Sequence, residues 1–379
     1  MRILLVSTQD YIHHPVPSRH HYIFEELARR HEVHVPHFHV SRAPERETRL
    51  QVHEATRFPV QSPLLHYTLN APEHYRVLSR VIRDHEIEVV VAAHILAGTA
   101  VIRAARRRHV PVLFDLKDWF PDSAAAYYGN PLLKETIRRS VLAILRHNLD
   151  HSDRITTVSP GLVDKLASFG YRAGLITNGV DTSIFRPMDG APIRERYGIA
   201  PEDFVIGFSG SVERWYAIDR MIGALPRVLE REPRALLFVV GGSLFTGYLP
   251  ELRALAERLG VADRVRFAGT QPYSDLPAHI AAMDVCTIPL SPPQWIDIAL
   301  PNKFFEYSAC SKPILSTPIP DMQRIGGEHL HFYRDYDEFV EKILALAKTR
   351  PRYEIDMSAH DWRSKAVEFE ACFESMLGR

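Results

Sequence analysis

Cysteine is scarce in this sequence: 379 residues include three, and Cys286, Cys310 and Cys372 lie far apart. No C-x-x-C spacing occurs, so neither disulfides nor a cysteine-ligated zinc site is expected, and a reducing cytosol fits. Long apolar runs are also lacking, since none reaches the roughly 18 residues of a membrane span. The first segment, M-R-I-L-L-V-S, is too short for a signal peptide and has the character of a buried strand.

Excess charge of either sign is absent, because 46 Lys and Arg oppose 46 Asp and Glu. This balance gives no indication of a nucleic-acid partner. Histidine, by contrast, is abundant, with 20 residues of which 16 precede residue 152. Because no H-x-x-x-H pair lies within a clear helix, we interpret the histidines mainly as solvated or core residues and predict no metal site.

The length and a hydrophobic content of 46% are sufficient for two domains with separate cores. In the first half, a strand at Arg2–Ser7, a helix near Arg19–Arg30 and a strand at Glu32–Pro36 form a β-α-β unit. Buried apolar strands between helices predict a parallel sheet of the α/β class. No G-x-G-x-x-G follows the first strand, which argues against a dinucleotide-binding oxidoreductase.

Strands and helices are predicted to alternate through the rest of the chain. Residues 41–75 are weakly patterned and are interpreted as a surface excursion or an acceptor-facing loop. The other predicted helices are 74–85, 98–108, 132–149, 218–230, 249–259 and 274–283. The other predicted strands are 88–92, 110–114, 235–240, 265–267 and 285–289, and a further strand opens the segment 204–211.

The stretch 297–318 is the strongest candidate for a ligand site. Lys303 and Glu306 are three residues apart and share one face of a short helix. We predict Asn302 as the N-cap, which leaves backbone amides pointing out of the preceding loop. Free amides, a helix N-terminus and a lysine suit a phosphate, and a carboxylate one turn further can accept hydrogen bonds from a sugar diol. A surface helix with an i,i+3 ion pair is the alternative.

A second candidate is the segment F-V-I-G-F-S-G-S, residues 204–211. A strand, a glycine loop at Gly210-Ser211 and then a helix form the geometry that cradles phosphate. The glycines could instead serve only a tight turn.

Acidic residues crowd the predicted end of the strand at 110–114. Asp115, Asp118 and Asp122 could bind a divalent ion or supply a base, and Asp118 is our candidate for the acceptor hydroxyl. Turn chemistry before a proline-broken helix explains the same residues equally well.

Residues 132–149 predict a basic amphipathic helix. Either the helix packs on the core with its basic face exposed to solvent, or that basic face lies on an anionic bilayer. Residues 1–185 hold 23 Lys and Arg against 19 Asp and Glu, a small excess that agrees with a membrane-facing first half.

Motifs along nearly the whole chain resemble the retaining glycosyltransferases of family 4, which have the GT-B fold. The motifs are P-N-K-F-F-E-Y with K-P-I after it, V-S-P-G-L at 158–162, N-G-V-D-T-S-I-F-R-P at 178–187, and a final segment after H-D-W at 360–362. The resemblance implies two Rossmann-like parallel-sheet domains, 1–186 and 187–359, facing each other across a cleft, with helix 360–379 packing back on the first domain.

The resemblance also implies the activity. A hexosyl or related sugar would pass from a nucleotide-diphosphate sugar to an acceptor hydroxyl with retention, in cell-surface polysaccharide or glycoconjugate synthesis. The family uses sugar or lipid-linked acceptors, so a cytoplasmic enzyme at the inner face of the membrane is expected. No cofactor or metal is expected, and a UDP-sugar is favoured over a GDP-sugar.

In the family, the lysine and the helix start bind the diphosphate and the glutamate binds the ribose. Those positions here are Asn302, Lys303, Phe304 and Glu306. The nucleobase lies near the turn G-T-Q-P-Y, which contains Thr270. Arg214 takes the place of the family's K-G element and is expected to neutralise the diphosphate.

Some family features are missing. Pro17-Ser18-Arg19-His20 stands where paired glycines are usual, and Lys117 stands where histidine is usual, so Ser18, Arg19 and Lys117 become the acceptor-side candidates. Ile298, beside Asp297, replaces a glutamate. These departures keep open an inactive nucleotide-sugar-binding protein. A nucleotide-sugar epimerase on the same fold would need further acid and base groups that we do not find.

Overall fold

A computed structural model describes residues 1–14, 17–40, 43–126, 129–243, 246–290 and 300–379. It divides the chain into two compact units, an N-terminal domain of Met1–Asn178 with Trp362–Arg379 and a C-terminal domain of Gly179–Asp361. The division falls eight residues before the expected boundary at residue 186, because Val180 already pairs with Asp361 of the second unit.

The N-terminal domain is a seven-stranded sheet, and every described strand pair in it is parallel. The strands are β1 Arg2–Val6, β2 Glu32–His37, β3 Gln51–Glu54, β4 Val89–Ala92, β5 Val112–Leu116, β6 Arg154–Thr157 and β7 Gly174–Leu175. The helices are α1 Arg19–Leu27, α2 Pro63–Leu69, α3 Ala71–Asp84, α4 Ile95–Arg106, α5 Phe120–Ala125, α6 Pro131–Asp150 and α7 Pro160–Ser168. The strand order, β3-β2-β1-β4-β5-β6-β7, reverses direction between β1 and β4.

The weakly patterned stretch 41–75 contains regular structure, so the interpretation as a loop or surface excursion was wrong. Residues 51–54 pair with β2 as an edge strand, and residues 63–69 form α2. An edge strand is covered less than a central one, so the β3 residues are mainly polar and carry no apolar alternation.

The C-terminal domain is a six-stranded parallel sheet in the order β10-β9-β8-β11-β12-β13. In chain order its elements are α8 Ala191–Arg196, β8 Phe204–Ser209, α9 Ile218–Leu229, β9 Ala235–Val240, α10 Leu249–Arg258, β10 Val265–Gly269, α11 Leu276–Ala281, β11 Val285–Ile288, α12 Asn302–Ala309, β12 Ile314–Ser316, α13 Pro320–Ile325, β13 Leu330–Phe332 and α14 Tyr336–Thr349. Its order reverses between β8 and β11, and a ligand site of an open parallel sheet lies at such a switch point, beyond the carboxyl ends of the strands.

Both faces of this second sheet are buried. Along β8, Phe204, Ile206 and Phe208 pack in one apolar cluster, whereas Val205 packs in another. Since neighbouring strand residues point to opposite faces, helices cover the sheet on both sides. This double burial explains why β8 and β9 are almost uninterrupted apolar runs in the sequence.

The last helix, α15 Trp362–Leu377, packs on α1 of the N-terminal domain. Trp362 stacks on Tyr22 with ring centroids 5.1 Å apart, and Phe369 meets Phe24 edge-on at 5.8 Å. These rings close the apolar core beneath α1. The tail of the chain is therefore part of the first domain.

Candidate functional site

Three glycine turns meet at the carboxyl ends of β8, β9 and β10. The amide of Gly210 donates to Val240 O at 2.8 Å, and the amide of Gly241 donates to Gly269 O at 2.8 Å. A Cβ on Gly241 would lie 1.8 Å from Gly210 O, and Gly210 and Gly241 have positive φ of 135° and 138°. Only glycine permits this approach of the two backbones, which creates a rim without side chains on the β8 side of the switch point.

The amine of Lys303 lies against the first of these turns. A Cβ on Gly210 would lie 2.3 Å from Lys303 Nζ. The amine donates to Tyr216 Oη at 2.9 Å and lies 4.3 Å from the centre of that ring and 5.3 Å from the Phe208 ring. A hydrogen bond and two cation–π contacts therefore hold the positive charge at the glycine rim.

Tyr216 is positioned by the neighbouring strand of the switch point. It forms a bridge with Leu290, and the next amide, of Ala217, donates to Pro289 O at 2.7 Å. The loop after β8 is thus attached to the end of β11, which brings Tyr216 beneath Lys303.

Helix α12 supplies a second source of positive potential. Its N-cap is Pro301, which has extended backbone and no side-chain cap, and Asn302 is the first helical residue. The prediction of Asn302 as N-cap was therefore wrong by one residue. The amide of Phe304 donates to Pro301 O at 3.0 Å, whereas no described residue accepts from the amides of Asn302 and Lys303. These two amides are available to an anion.

The carboxyl of Glu306 lies one turn further along α12 and is half-buried. No hydrogen bond joins this carboxyl to any described residue. Burial raises the pKa of Glu306, and the positive charge of Lys303 opposes that rise. A carboxyl without internal donors, next to a fixed lysine, is suited to accept hydrogen bonds from a ligand hydroxyl pair.

The opposite face of α12 anchors it to the sheet. The amide of Ser209, the last residue of β8, donates to Tyr307 Oη at 2.8 Å, and Ser308 Oγ lies 2.9 Å from His329 Nε2. Burial raises the pKa of Tyr307 well above its usual value, so the hydroxyl stays neutral. The Phe304 ring is also in the core, stacked on His329, so the predicted role of Phe304 in donor binding does not involve this ring.

Thr270 and Ser211 flank the glycine rim, and Arg214 is directed elsewhere. A Cβ on Gly242 would lie 2.5 Å from Thr270 Oγ1, and Ser211 follows Gly210 and is half-buried. The Arg214 guanidinium pairs with Glu251 and lies 4.5 Å from the centre of the Tyr248 ring.

Among the described residues, no contact joins Arg214 to Lys303. Its partners lie at the start of α10, so the contacts do not support the predicted role of Arg214 at the diphosphate. Residues Asp297 and Ile298, considered above, lie outside the described ranges.

In the N-terminal domain, the acidic cluster is divided. Asp115 is fully buried on β5, with Arg19 Nε at 3.4 Å, His20 Nε2 at 2.9 Å and the Thr156 hydroxyl at 2.9 Å from its oxygens. Burial raises the pKa of Asp115, but the charge of Arg19 and the hydrogen bonds from His20 and Thr156 outweigh that effect and hold it below its usual value.

Arg19 is 3% exposed and also donates to Ile176 O at 2.9 Å. The Arg19 side chain, predicted on the acceptor side, is buried against Asp115, and its Nε and Nη2 have no hydrogen-bond partner among the described residues. Asp115 is removed from the candidates for metal or acceptor binding.

Lys117 and Asp118 follow β5 and remain accessible. The Asp118 side chain is 56% exposed, and its carboxylate lies 3.8 Å from Lys117 Nζ. Ser18 precedes α1, where its amide donates to His21 Nδ1 at 2.8 Å, so it has a capping role. Of the acceptor-side candidates, Lys117 and Asp118 are the ones whose charged groups are accessible to a ligand.

Two family models match the two domains. Residues 20–184 match the model described as Glycosyltransferase Family 4, and residues 203–349 match the one described as Glycosyl transferases group 1. The second match contains the glycine rim and all of α12.

Curated relatives match over part of the chain. The GDP-mannose-dependent alpha-(1-6)-phosphatidylinositol monomannoside mannosyltransferase of Mycolicibacterium smegmatis is 33% identical over 250 residues, which are 63% of this chain and 60% of that protein. The D-inositol 3-phosphate glycosyltransferase of Segniliparus rotundus is 31% identical over 173 residues, 44% of this chain and 37% of that protein. The chain thus spans between 37% and 60% of the lengths of these two relatives.

Solved structures match over the whole chain. Sucrose-phosphate synthase from Thermosynechococcus elongatus has a TM-score of 0.77 at 16% identity, covering 100% of this chain and 99% of that one. HepE from Anabaena, in complex with UDP and glucose, has a TM-score of 0.72 at 19% identity, covering 98% and 99%. At such identities the likeness concerns the fold. The chain thus has two parallel-sheet domains with the fold of the GT-B glycosyltransferases, the first similar to the Glycosyltransferase Family 4 model and the second to the Glycosyl transferases group 1 model.

Proposed function

We propose that this chain transfers a sugar from a nucleotide-diphosphate sugar to an acceptor hydroxyl, with retention at the anomeric carbon. The observation that carries the proposal is the amine of Lys303, held against the Gly210 turn beside the free N-terminus of α12. A diphosphate at the glycine rim would meet one fixed cation and the two free amides at the start of α12, which is the chemistry that anionic leaving groups require.

In this account Lys303 and the amides of α12 stabilise the negative charge that develops on the departing diphosphate. Their positions are set before the ligand arrives, so no reorganisation is needed during the reaction. Glu306 accepts hydrogen bonds from the ribose and orients the nucleotide. Because the described side chains around Lys303 include no second carboxylate placed as a nucleophile, we favour attack by the acceptor on the face that the diphosphate leaves.

The acceptor is assigned to the N-terminal domain. Asp118 is exposed at the carboxyl end of β5 and is our candidate for orienting or deprotonating the acceptor hydroxyl, with Lys117 beside it. For the donor, a UDP-sugar is the first choice, and the GDP-mannose dependence named for the relative from Mycolicibacterium smegmatis makes a GDP-sugar the main competitor.

The test is a transfer assay with UDP-glucose, UDP-galactose and GDP-mannose against inositol phosphates, phosphatidylinositol and simple sugars. The expected product retains the anomeric configuration of the donor, which the anomeric proton coupling in NMR reports. An inverted product contradicts the mechanism. Tight nucleotide-sugar binding without transfer to any acceptor, or without release of nucleoside diphosphate, favours the inactive binding protein.

We further propose that the N-terminal domain contacts an anionic membrane through the start of α6. Leu132 is 79% exposed and Leu133 is also exposed, and the same helix carries Lys134 together with Arg138 and Arg139, which pair with Glu135. Exposed leucines beside cations suit the boundary between headgroups and acyl chains. Among the described residues no helix has the length and apolar content of a membrane crossing, and we expect a peripheral protein at the inner face.

Vesicle flotation tests this contact. The chain is expected to float with vesicles containing anionic phospholipid and not with neutral ones, and high salt should weaken the binding. The double variant Leu132→Ser/Leu133→Ser should lose most of the binding, whereas Leu175→Ser, an exposed leucine on β7, should not. Equal flotation of both variants would contradict membrane contact through the start of α6.

A further inference from the structure

We propose that His13, His37 and His39 form a zinc-binding site at the carboxyl edge of the N-terminal sheet. One imidazole nitrogen from each ring lies within 4.8 Å of those from the other two. His37 is the last residue of β2, His39 follows two positions later, and His13 belongs to the loop after β1, which pairs with β2. The three rings therefore come from two neighbouring strand ends, a proximity that helical spacing in the sequence does not reveal.

Each ring has one nitrogen engaged with an acceptor. His37 Nδ1 lies 2.9 Å from one Glu54 oxygen, His39 Nε2 is hydrogen-bonded to the other, and His13 Nδ1 lies 2.6 Å from Ala43 O. An acceptor on one imidazole nitrogen fixes the tautomer and turns the lone pair of the other nitrogen toward a metal. The arrangement assigns His13 Nε2, His37 Nε2 and His39 Nδ1 as the metal ligands.

His37 supplies an independent indication of a missing partner. The residue is 3% exposed, and its Nε2 is buried without a hydrogen-bond partner. A buried polar atom without a partner is unfavourable in a folded protein. A metal ion bound by this nitrogen would satisfy it.

The two loops that carry the ligands are already attached to each other. The amide of Val40 donates to Asp10 Oδ2 at 2.9 Å, and the amide of Arg46 donates to Ile12 O at 3.0 Å. These bonds do not involve the imidazoles, so the ligand positions are set by the backbone. Binding would then require small ring movements and no refolding of the loops.

The donor set favours Zn²⁺. Tetrahedral zinc with bonds of about 2.0–2.1 Å holds its nitrogens about 3.3–3.4 Å apart. The rings must therefore close from their present separations, by side-chain rotation. Neutral imidazoles oriented by a carboxylate are typical of zinc, although Ni²⁺ and Cu²⁺ also prefer imidazole. Glu45, whose carboxylate lies 3.9 Å from His13 Nε2 and is mostly exposed, is a candidate for the fourth position.

A second group, His34, His53 and His85, also has one nitrogen of each ring within 4.8 Å of the others and can be compared with the first. There His34 Nδ1 lies 2.9 Å from His53 Nε2, so the two rings satisfy each other directly. A metal would have to break that bond, which makes this group the weaker candidate. The competing account of the first group is ring stacking alone, since the His37 and His39 centroids are 3.6 Å apart.

The experiment titrates Zn²⁺ into tag-free, chelator-treated full-length protein, with thermal unfolding in parallel and the visible spectrum of bound Co²⁺ as a probe of ligand geometry. We expect one Zn²⁺ per chain, a higher Tm and a tetrahedral Co²⁺ spectrum. Glu54→Gln should weaken binding about 10–100-fold. His39→Ala, at the more exposed ring, should abolish it, and His53→Asn should leave it unchanged.

Absence of Zn²⁺ binding to the folded protein would overturn the site. So would equal binding by the wild type and His39→Ala. Loss of binding in His53→Asn with retention in His39→Ala would place the metal at the second group and equally contradict the proposal.

Discussion

Replacing Lys303 by methionine is expected to lower the rate of sugar transfer by about 10²–10³-fold, the range found when one preorganised donor to a developing anion is removed. Methionine retains the apolar stem against Phe208 and Tyr216 but removes the charge at the Gly210 turn. The effect should appear mainly in kcat, because the lost interaction is strongest when the diphosphate departs.

Tyr216→Phe is the matched control for this change. It removes the hydroxyl that accepts from Lys303 but keeps the aromatic face beneath the amine. Because Lys303 keeps its charge, a loss smaller than that of Lys303→Met is expected, about tenfold or somewhat more, since a hydrogen bond to a charged group contributes roughly 1.5–3 kcal/mol. If Lys303→Met is folded and transfers sugar at the wild-type rate, the assignment of Lys303 to the leaving group is incorrect.

Replacing Asp115 by asparagine is expected to destabilise the fold by about 3–5 kcal/mol, the range for breaking a buried ion pair from one side. The change leaves the Arg19 guanidinium buried without its countercharge. Denaturant unfolding measures the effect. Asp118→Asn, at an exposed position three residues later, should change the unfolding free energy by no more than about 0.5 kcal/mol.

Two further measurements separate the charge from the shape of the site. Arg19→Met combined with Asp115→Asn should recover part of the loss, because no unpaired charge then remains. The second measurement is the pH dependence of the unfolding free energy. The pKa of Asp115 is lower in the folded than in the unfolded chain, so its contribution is present above the unfolded pKa of about 3.9 and is lost as the pH falls through the folded pKa.

Asp115→Asn should therefore have a flatter stability profile below pH of about 4 than the wild type. A wild-type unfolding free energy in Asp115→Asn at neutral pH would mean that Arg19 and Asp115 do not form a stabilising pair.

The sequence predicted the C-terminal domain closely because its signals are local. Strand β9 was predicted at its observed bounds and β11 within one residue, and β8 begins at the predicted residue, because each is a buried apolar run. Lys303 and Glu306 lie on one helix as predicted, since residues three apart share a helix face whatever the rest of the fold. Edge strand β3 lacked such a pattern and was missed.

The features that the sequence did not reveal depend on contacts between distant residues. Arg19 and Asp115 meet across 96 positions of the chain, and neither residue type nor spacing indicates that the pair is buried. Arg214 was assigned from its place after the glycine loop, but its orientation is decided by Glu251 and Tyr248. The sequence contains Gly241 in a Gly-Gly pair, but its contact with Gly210 depends on β8 and β9 being neighbours in the sheet, which the pair alone does not indicate.

The central claim is that the C-terminal domain binds a nucleoside diphosphate through Lys303 and Glu306. Thermal unfolding with UDP, GDP, dTDP and ADP, on the wild type and on Glu306→Ala, tests it most directly. One nucleotide at 100 times its dissociation constant should stabilise the wild type by about 2.7 kcal/mol, and the variant should lose most of that effect. No stabilisation of well-folded protein by any of the four nucleotides, or equal stabilisation of the variant, would contradict the account.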